Sequence, residues 1–238
     1  MKRLLLLLTG LLTLSLAAPP TPADAISITF DTSSGAVSGG GPVQAEAVFT
    51  TGAGTISITL RDLLVNPANV GQLLSDLSFH VTTGQSSGSL TSSSGQERTV
   101  ASNGTFTNGS TVAAGWLLTG GAGGTFKLDD LAGGAAGPAH LIIGPAGGGG
   151  TYSNANASIA GNGPHNPFLV GDVTFSLLMA GVTPNSSIDN VLFSFGTTTG
   201  DNVAGVTTPV PEPSTLLLLG SGLSVLGAQV LRRRRRIK

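Results

Sequence analysis

Apolar residues in this chain return at every second position, and that period limits what it can fold into. Ile26, Ile28 and Phe30 share one parity, as do Val43, Ala45, Ala47 and Phe49, with Val48 breaking the pattern. Ile56, Ile58 and Leu60 repeat it, followed later by Val173, Phe175, Leu177 and by Val191, Phe193, Phe195. Successive side chains of a strand point to opposite faces, so this spacing describes half-buried strands and not amphipathic helices. Shorter runs at Leu77–Val81, Thr105–Thr107, Trp116–Leu118, Phe126–Leu128 and Leu141–Ile143 fit between clusters of Gly, Asn, Ser and Pro. Strands punctuated by turn residues predict an all-β domain, an antiparallel β-sandwich of jelly-roll-like or Ig-like type. One stretch breaks the rhythm. Pro67 at a first turn, with Val70, Leu73, Leu74 and Leu77 behind it, predicts a short connecting helix over Asn66–Asp76.

The predicted sandwich spans 26–202, enough chain for one core of its own. It has no cysteine, so no disulfide helps to hold it. Thirty-six glycines raise the entropic cost of ordering it. Glycine-rich runs between Gly120 and Asn156 read as loops that add little core. Residues 203–209, rich in Thr and Val and ending in Pro209, read as a linker.

Both ends carry address signals. Met1-Lys2-Arg3 followed by Leu4 to Ala17, with Ala23-Asp24-Ala25 as a small-x-small cleavage site, predicts a secretory signal peptide over residues 1–25. At the other end, residues 210–238 combine Val210-Pro211-Glu212-Pro213, an uncharged run from Thr215 to Leu231, and a basic tail over 232–238. At ~1.5 Å per residue the run covers roughly 26 Å, just short of a hydrocarbon core about 30 Å thick. Arg232, Arg233, Arg234, Arg235 and Arg236 can make up the shortfall by snorkelling, and positive flanks stay inside. The expected topology is a single pass with the C-terminus in the cytoplasm and the bulk outside. Pro211 and Pro213 disfavour helix in the residues before them, so the chain meets the membrane extended, as a protease substrate must.

The order of these parts resembles the PEP-CTERM sorting signal of Gram-negative bacteria. The resemblance covers only the tail. It implies an exosortase as processing partner, a membrane-embedded enzyme that cuts near the motif and passes the ectodomain to the cell surface or exterior. The inner membrane is then a transient partner, and exopolysaccharide or biofilm matrix a further one.

Removing both ends exposes a charge imbalance. Between Ile26 and Val210 stand Arg61, Arg98 and Lys127 against ten acidic residues, a net charge of -7. Such a surface argues against nucleic acid as a partner.

Catalytic chemistry is thin. Gly84-Gln85-Ser86-Ser87-Gly88 matches Gly-x-Ser-x-Gly, but the Ser-rich stretch after it is poor material for the helix that a nucleophile elbow requires. His80, His140 and His165 do not fall at metal-ligand spacing. Asp129-Asp130, Asp189-Asn190 and Asp201-Asn202 offer oxygen ligands without a calcium-loop pattern and read as turn residues. Glu46 and Glu97 are the only glutamates left for a carboxylate pair. Asn103, Asn108, Asn156 and Asn185 open glycosylation sequons. The sequence therefore predicts a non-enzymatic exported protein without cofactor or metal. The alternatives are a carbohydrate-binding module using loops around Trp116, Tyr152 and His165, and a hydrolase using Ser86 or an acidic pair.

Overall fold

The computed structural model describes residues 25–132, 138–198 and 202–208. The signal peptide, with Ala23 in its cleavage site, and the whole segment 209–238 lie outside the described residues. Fourteen strands are present: β1 (Ile26–Thr32), β2 (Val37–Ser38), β3 (Gly41–Pro42), β4 (Ala45–Gly52), β5 (Thr55–Asp62), β6 (Leu74–Val81) and β7 (Ser89–Val100). They continue with β8 (Phe106–Val112), β9 (Leu117–Gly120), β10 (Thr125–Asp129), β11 (Ile142–Ile143), β12 (Phe168–Leu178), β13 (Ile188–Phe195) and β14 (Asn202–Thr207). Among the described residues the helical content is two short 3-10 turns, and no helix is long and apolar enough to cross a membrane.

The all-β expectation holds; in place of a sandwich's two packed sheets, twelve strands form one continuous sheet, and β2 and β3 pair separately as a two-stranded hairpin. Eight strands run β12-β5-β4-β1-β14-β13-β6 and return to β12 through β11, which closes a barrel-like ring. Two wings extend it, β7 and β8 beyond β12 and β10 and β9 beyond β6. Inside, the alternation works as the sequence requires: β4 buries Ala45, Ala47 and Phe49, and β5 buries Ile56, Ile58 and Leu60. Val48 faces outward, so its break in parity is only apparent. Phe49 and Phe79 sit on opposite sides of the ring, yet their rings lie 5.3 Å apart. The interior is therefore filled with side chains and is not a channel.

Three expectations change. The Asn66–Asp76 helix shrinks to a 3-10 turn over Val70–Gln72, capped by Asn69, because Leu74, Leu77, Phe79 and Val81 are drawn into β6. Burying four large apolar residues on the sheet outweighs a local helical preference. The linker predicted at 203–209 is largely β14, which pairs with β13 and β1. The glycine-rich middle is not core-poor: Leu141, Ile143, Tyr152 and Ile159 join Leu73, Val100 and Phe168 in a second buried cluster.

The ring closes at a single seam. Ile142 and Ile143 pair in parallel with Leu169 and Val170 of β12, while Ile142 pairs with Leu74 of β6. Ile142 packs into the main core and Ile143 into the second, so two residues join both. Just beyond, Gly144 passes so close to Leu64 that an added Cβ would lie 2.0 Å from the Leu64 carbonyl oxygen. Gly144→Ala must push the seam apart and is expected to cost more than about 2 kcal/mol. Gly148→Ala, whose Cβ would meet open space, should stay within about 0.5 kcal/mol of the parent. Urea unfolding followed by the single, buried Trp116 measures both; equal midpoints would show that the seam is not tight.

Candidate functional site: the two ends of the barrel and the sorting tail

Strand direction sorts the described residues into two ends. β1 starts, β4 stops, β5 starts, β12 stops and β7 starts at the end marked by Ile26, Gly52, Thr55, Leu178 and Ser89. Val81, Ile188 and Thr125 lie at this near end too. The far end carries Thr32, Ala45, Asp62, Leu74 and Phe195.

Charge belongs almost wholly to the far half. Arg61 on β5 forms ion pairs with Glu46 on β4 and Asp172 on β12, clipping three neighbouring strands. The Arg61 guanidinium, hydrogen-bonded to it, holds Asp172 below the usual carboxylate range. Burial, with Glu46 directly across the ladder, raises Asp31. Asp31 and Glu46 line a cleft of about 470 Å³ together with Ser33, Gln44 and Leu64. Of this pair, Glu46 is held by Arg61.

Four aspartates are buried. Asp62 ends β5, where its Oδ1 accepts a hydrogen bond from the Leu64 amide at 2.9 Å. Burial holds its pKa well above the ordinary value, against the lowering effect of the Leu64, Leu74 and Gly144 amides. Asp76 and Asp129 share the Lys127 ammonium at 2.9 and 2.8 Å. Burial still raises Asp76, and the paired carboxylates raise Lys127 against its own desolvation. Neither carboxyl oxygen of the fully buried Asp130 has a hydrogen-bond partner. Burial, reinforced by Asp129, pushes it up to about 7. Perturbed acids of this kind can mark active sites. Here none of Asp76, Asp129 and Asp130 lines the charged cleft. Among the described residues no group of three His, Asp or Glu could hold a metal.

The residues singled out by sequence do not converge. Ser86 lies in an extended connection between β6 and β7, with β7 in place of the helix that a nucleophile elbow needs. His80 pairs with Asp189 at 2.6 Å on the ladder between β6 and β13. His140 sits at the far end between the Ala114 carbonyl and Glu97. His165 bonds the Ser158 carbonyl. Trp116 and Tyr152, the rings expected to meet sugar, are 2% and 1% exposed. Trp116 packs on Phe175 at 5.3 Å and donates to the His140 carbonyl; Tyr152 donates to the Gly144 carbonyl and accepts from Arg98. The carbohydrate-site reading on these rings is corrected: Trp116 belongs to the main core and Tyr152 to the second buried cluster. All four sequon asparagines, Asn103, Asn108, Asn156 and Asn185, are exposed.

The near end differs in kind. Among the described residues its only ionisable side chains are His80 and Asp189. A groove of about 370 Å³ there is lined by Ala25, Thr51, Thr55, Ser57, Ser176 and Leu178, among others, without a charge. β14 runs toward this end beside β1, and the Thr208 amide bonds the Thr29 carbonyl at 3.2 Å. Val210 and the rest of the tail follow at once.

The β-domain continues from its last described strand directly into the C-terminal tail. The tail carries a known signal: the family model of the PEP-CTERM protein-sorting motif matches residues 209–236. That motif marks the chain as exported and targeted to an exosortase. No curated protein and no solved structure matches the chain.

Asp130 generates a pH prediction. The unfolded chain loses this proton near the ordinary value of 3.8, whereas the folded protein keeps it to about 7. Stability therefore falls as pH rises through that window, by up to about 1.4 kcal/mol per pH unit for one group. Asp130→Asn should gain on the order of 2–4 kcal/mol over the parent at pH 8 and almost nothing at pH 4. Urea midpoints at the two pH values measure this, and a pH-independent difference would refute it.

Proposed function

We propose that the protein is a non-catalytic cell-surface or extracellular-matrix component, released to its final place when an exosortase removes the tail. The observation that carries this reading is the sorting motif at 209–236. In this account residues 1–25 leave as a signal peptide, cut after Ala25. Thr215–Leu231 spans the inner membrane, and Arg232–Arg236 hold the C-terminus in the cytoplasm. Val210-Pro211-Glu212-Pro213 is the segment presented for cleavage.

The barrel supports a structural role in two ways. Its largest described aromatic side chains are buried, and in the cleft that holds Asp31 and Glu46, Glu46 is paired with Arg61. Its outer wall instead carries rows of hydroxyls. Ser27, Thr50, Ser57, Ser176 and Ser92 stand side by side across five strands, and Thr29, Val48, Thr59, Thr174 and Ser94 form the next row. Neutral hydroxyl surfaces suit hydrated exopolysaccharide in a biofilm matrix, where an array of weak hydrogen bonds adds up by multiplicity.

Expression beside a functional exosortase should yield protein lighter by the tail, and expression without it should yield the uncut chain. Replacing Pro211, Glu212 and Pro213 together by Ala should abolish the difference. Intact-mass measurement decides, and identical masses in both hosts would overturn the processing account.

A further inference from the structure

The near end of the barrel stands very close to whatever holds the tail. Thr208 is the last residue bonded to the sheet, and the apolar run begins at Thr215. Between them lie six residues, three of them proline, which span at most roughly 20 Å at ~3.3 Å per residue. The headgroup layer takes up about 5–8 Å of that reach. Within about one to two Debye lengths of a lipid surface, the charge on the facing end matters.

We propose that, before cleavage, the near end of the barrel is a docking face for the outer surface of the inner membrane. This rests on the membrane-anchor reading of the tail. Three observations fix the orientation. β14 runs toward this end, its last bonded residue Thr208 lying level with Thr29, three residues short of Ile26. Among the described residues the side chains of this end carry charge only in the His80–Asp189 pair, to which removal of the signal peptide adds the Ile26 α-ammonium, whereas Asp31, Glu46, Asp62, Asp76, Asp129 and Asp130 lie towards the other. Anionic headgroups repel a carboxylate-rich surface and tolerate a neutral one, so the acids stand away from the bilayer. Ile26 and Leu178, 44% and 53% exposed, are the apolar side chains this end shows to an interface. The neutral face thereby keeps the barrel upright over the anchor with its charged cleft pointing outward.

The absence of cysteine makes the test clean, since an introduced thiol is unique. Full-length Leu178→Cys and Val37→Cys proteins, both changed at exposed positions, are labelled with one fluorophore. They are reconstituted into phosphatidylcholine–phosphatidylglycerol vesicles carrying a headgroup quencher. Val37 lies beyond the far end of β1, a strand length of about 23 Å away. Quenching at position 178 should exceed that at 37 by at least about threefold over such a separation. Retained Trp116 emission shows that both variants are folded. If the protein floats with the vesicles but the two positions quench equally, the docking face is wrong and the neutral end is left to the processing enzyme. If the protein does not float with the vesicles, the anchor reading fails and this one falls with it.

Discussion

The sheet depends on closing itself through a strand of two residues. Without Ile142 and Ile143 between them, the upper part of β12 and the start of β6 would be free edges, each with unpaired amides and carbonyls. β12 reaches the seam by bending: its ladder with β7 slips register between Val170 and Thr174, with exposed Gly171 and Asp172 between. Below that bulge β12 pairs with β5, and above it with β11. One strand thus serves two neighbours on the same side, and the ring turns its corner there.

A chain with so little charge and so much glycine must hold itself by other means, since it has no disulfide. Its main resource is the aromatic series Phe30, Phe49, Phe79 and Phe126, with successive centroids 5.8, 5.3 and 6.0 Å apart. That series runs from one wall of the ring to the wing beyond the other. Glycine appears chiefly in turns and at close approaches, where a side chain would be a cost, while Ser and Thr occupy the outward strand positions. Threonine suits these because its branched Cβ favours extended backbone. With hydroxyls covering the wall, the carboxylates gather towards one end, and the asymmetry of charge follows from the composition.

How much of this was legible depended on apolar period. β4, β5, β12 and β13 were readable because each buries apolar residues at alternate positions over at least part of its length. β7, the longest strand at 12 residues, was not, because Ser, Thr, Gln, Glu and Arg fill it and it lies in a wing with one face in water. β14 escaped for the same reason: Asn202–Thr207 buries none of its residues and is a strand because it pairs with β1 and β13 on its two sides. Closure itself has no local signature, since pairing β1 with β14 is a property of the whole chain. The sorting motif was legible, because it acts through order and composition. The exposed-ring hypothesis for Trp116 and Tyr152 failed since residue type says what a ring can bind but not whether it is reachable.

That last pairing ties the fold to the tail. Among the described residues β1 and β14 are the first and last strands, so the ring cannot close until the chain just before the sorting motif has entered the compartment where the barrel folds. Bringing such distant segments together carries the largest loop-closure cost in the molecule and places this pairing late in folding. The tail is attached to the strand that completes the sheet. A barrel that has taken up β14 anchors Thr208 against Thr29 and leaves six residues before the apolar run. An unfinished barrel leaves β14 itself as extra slack, about 20 Å for six residues. In the membrane-anchored form proposed above, completion of the sheet therefore sets how far the barrel itself can stray from the segment around Pro211 and Pro213, which ties folding of the domain to the space around that segment.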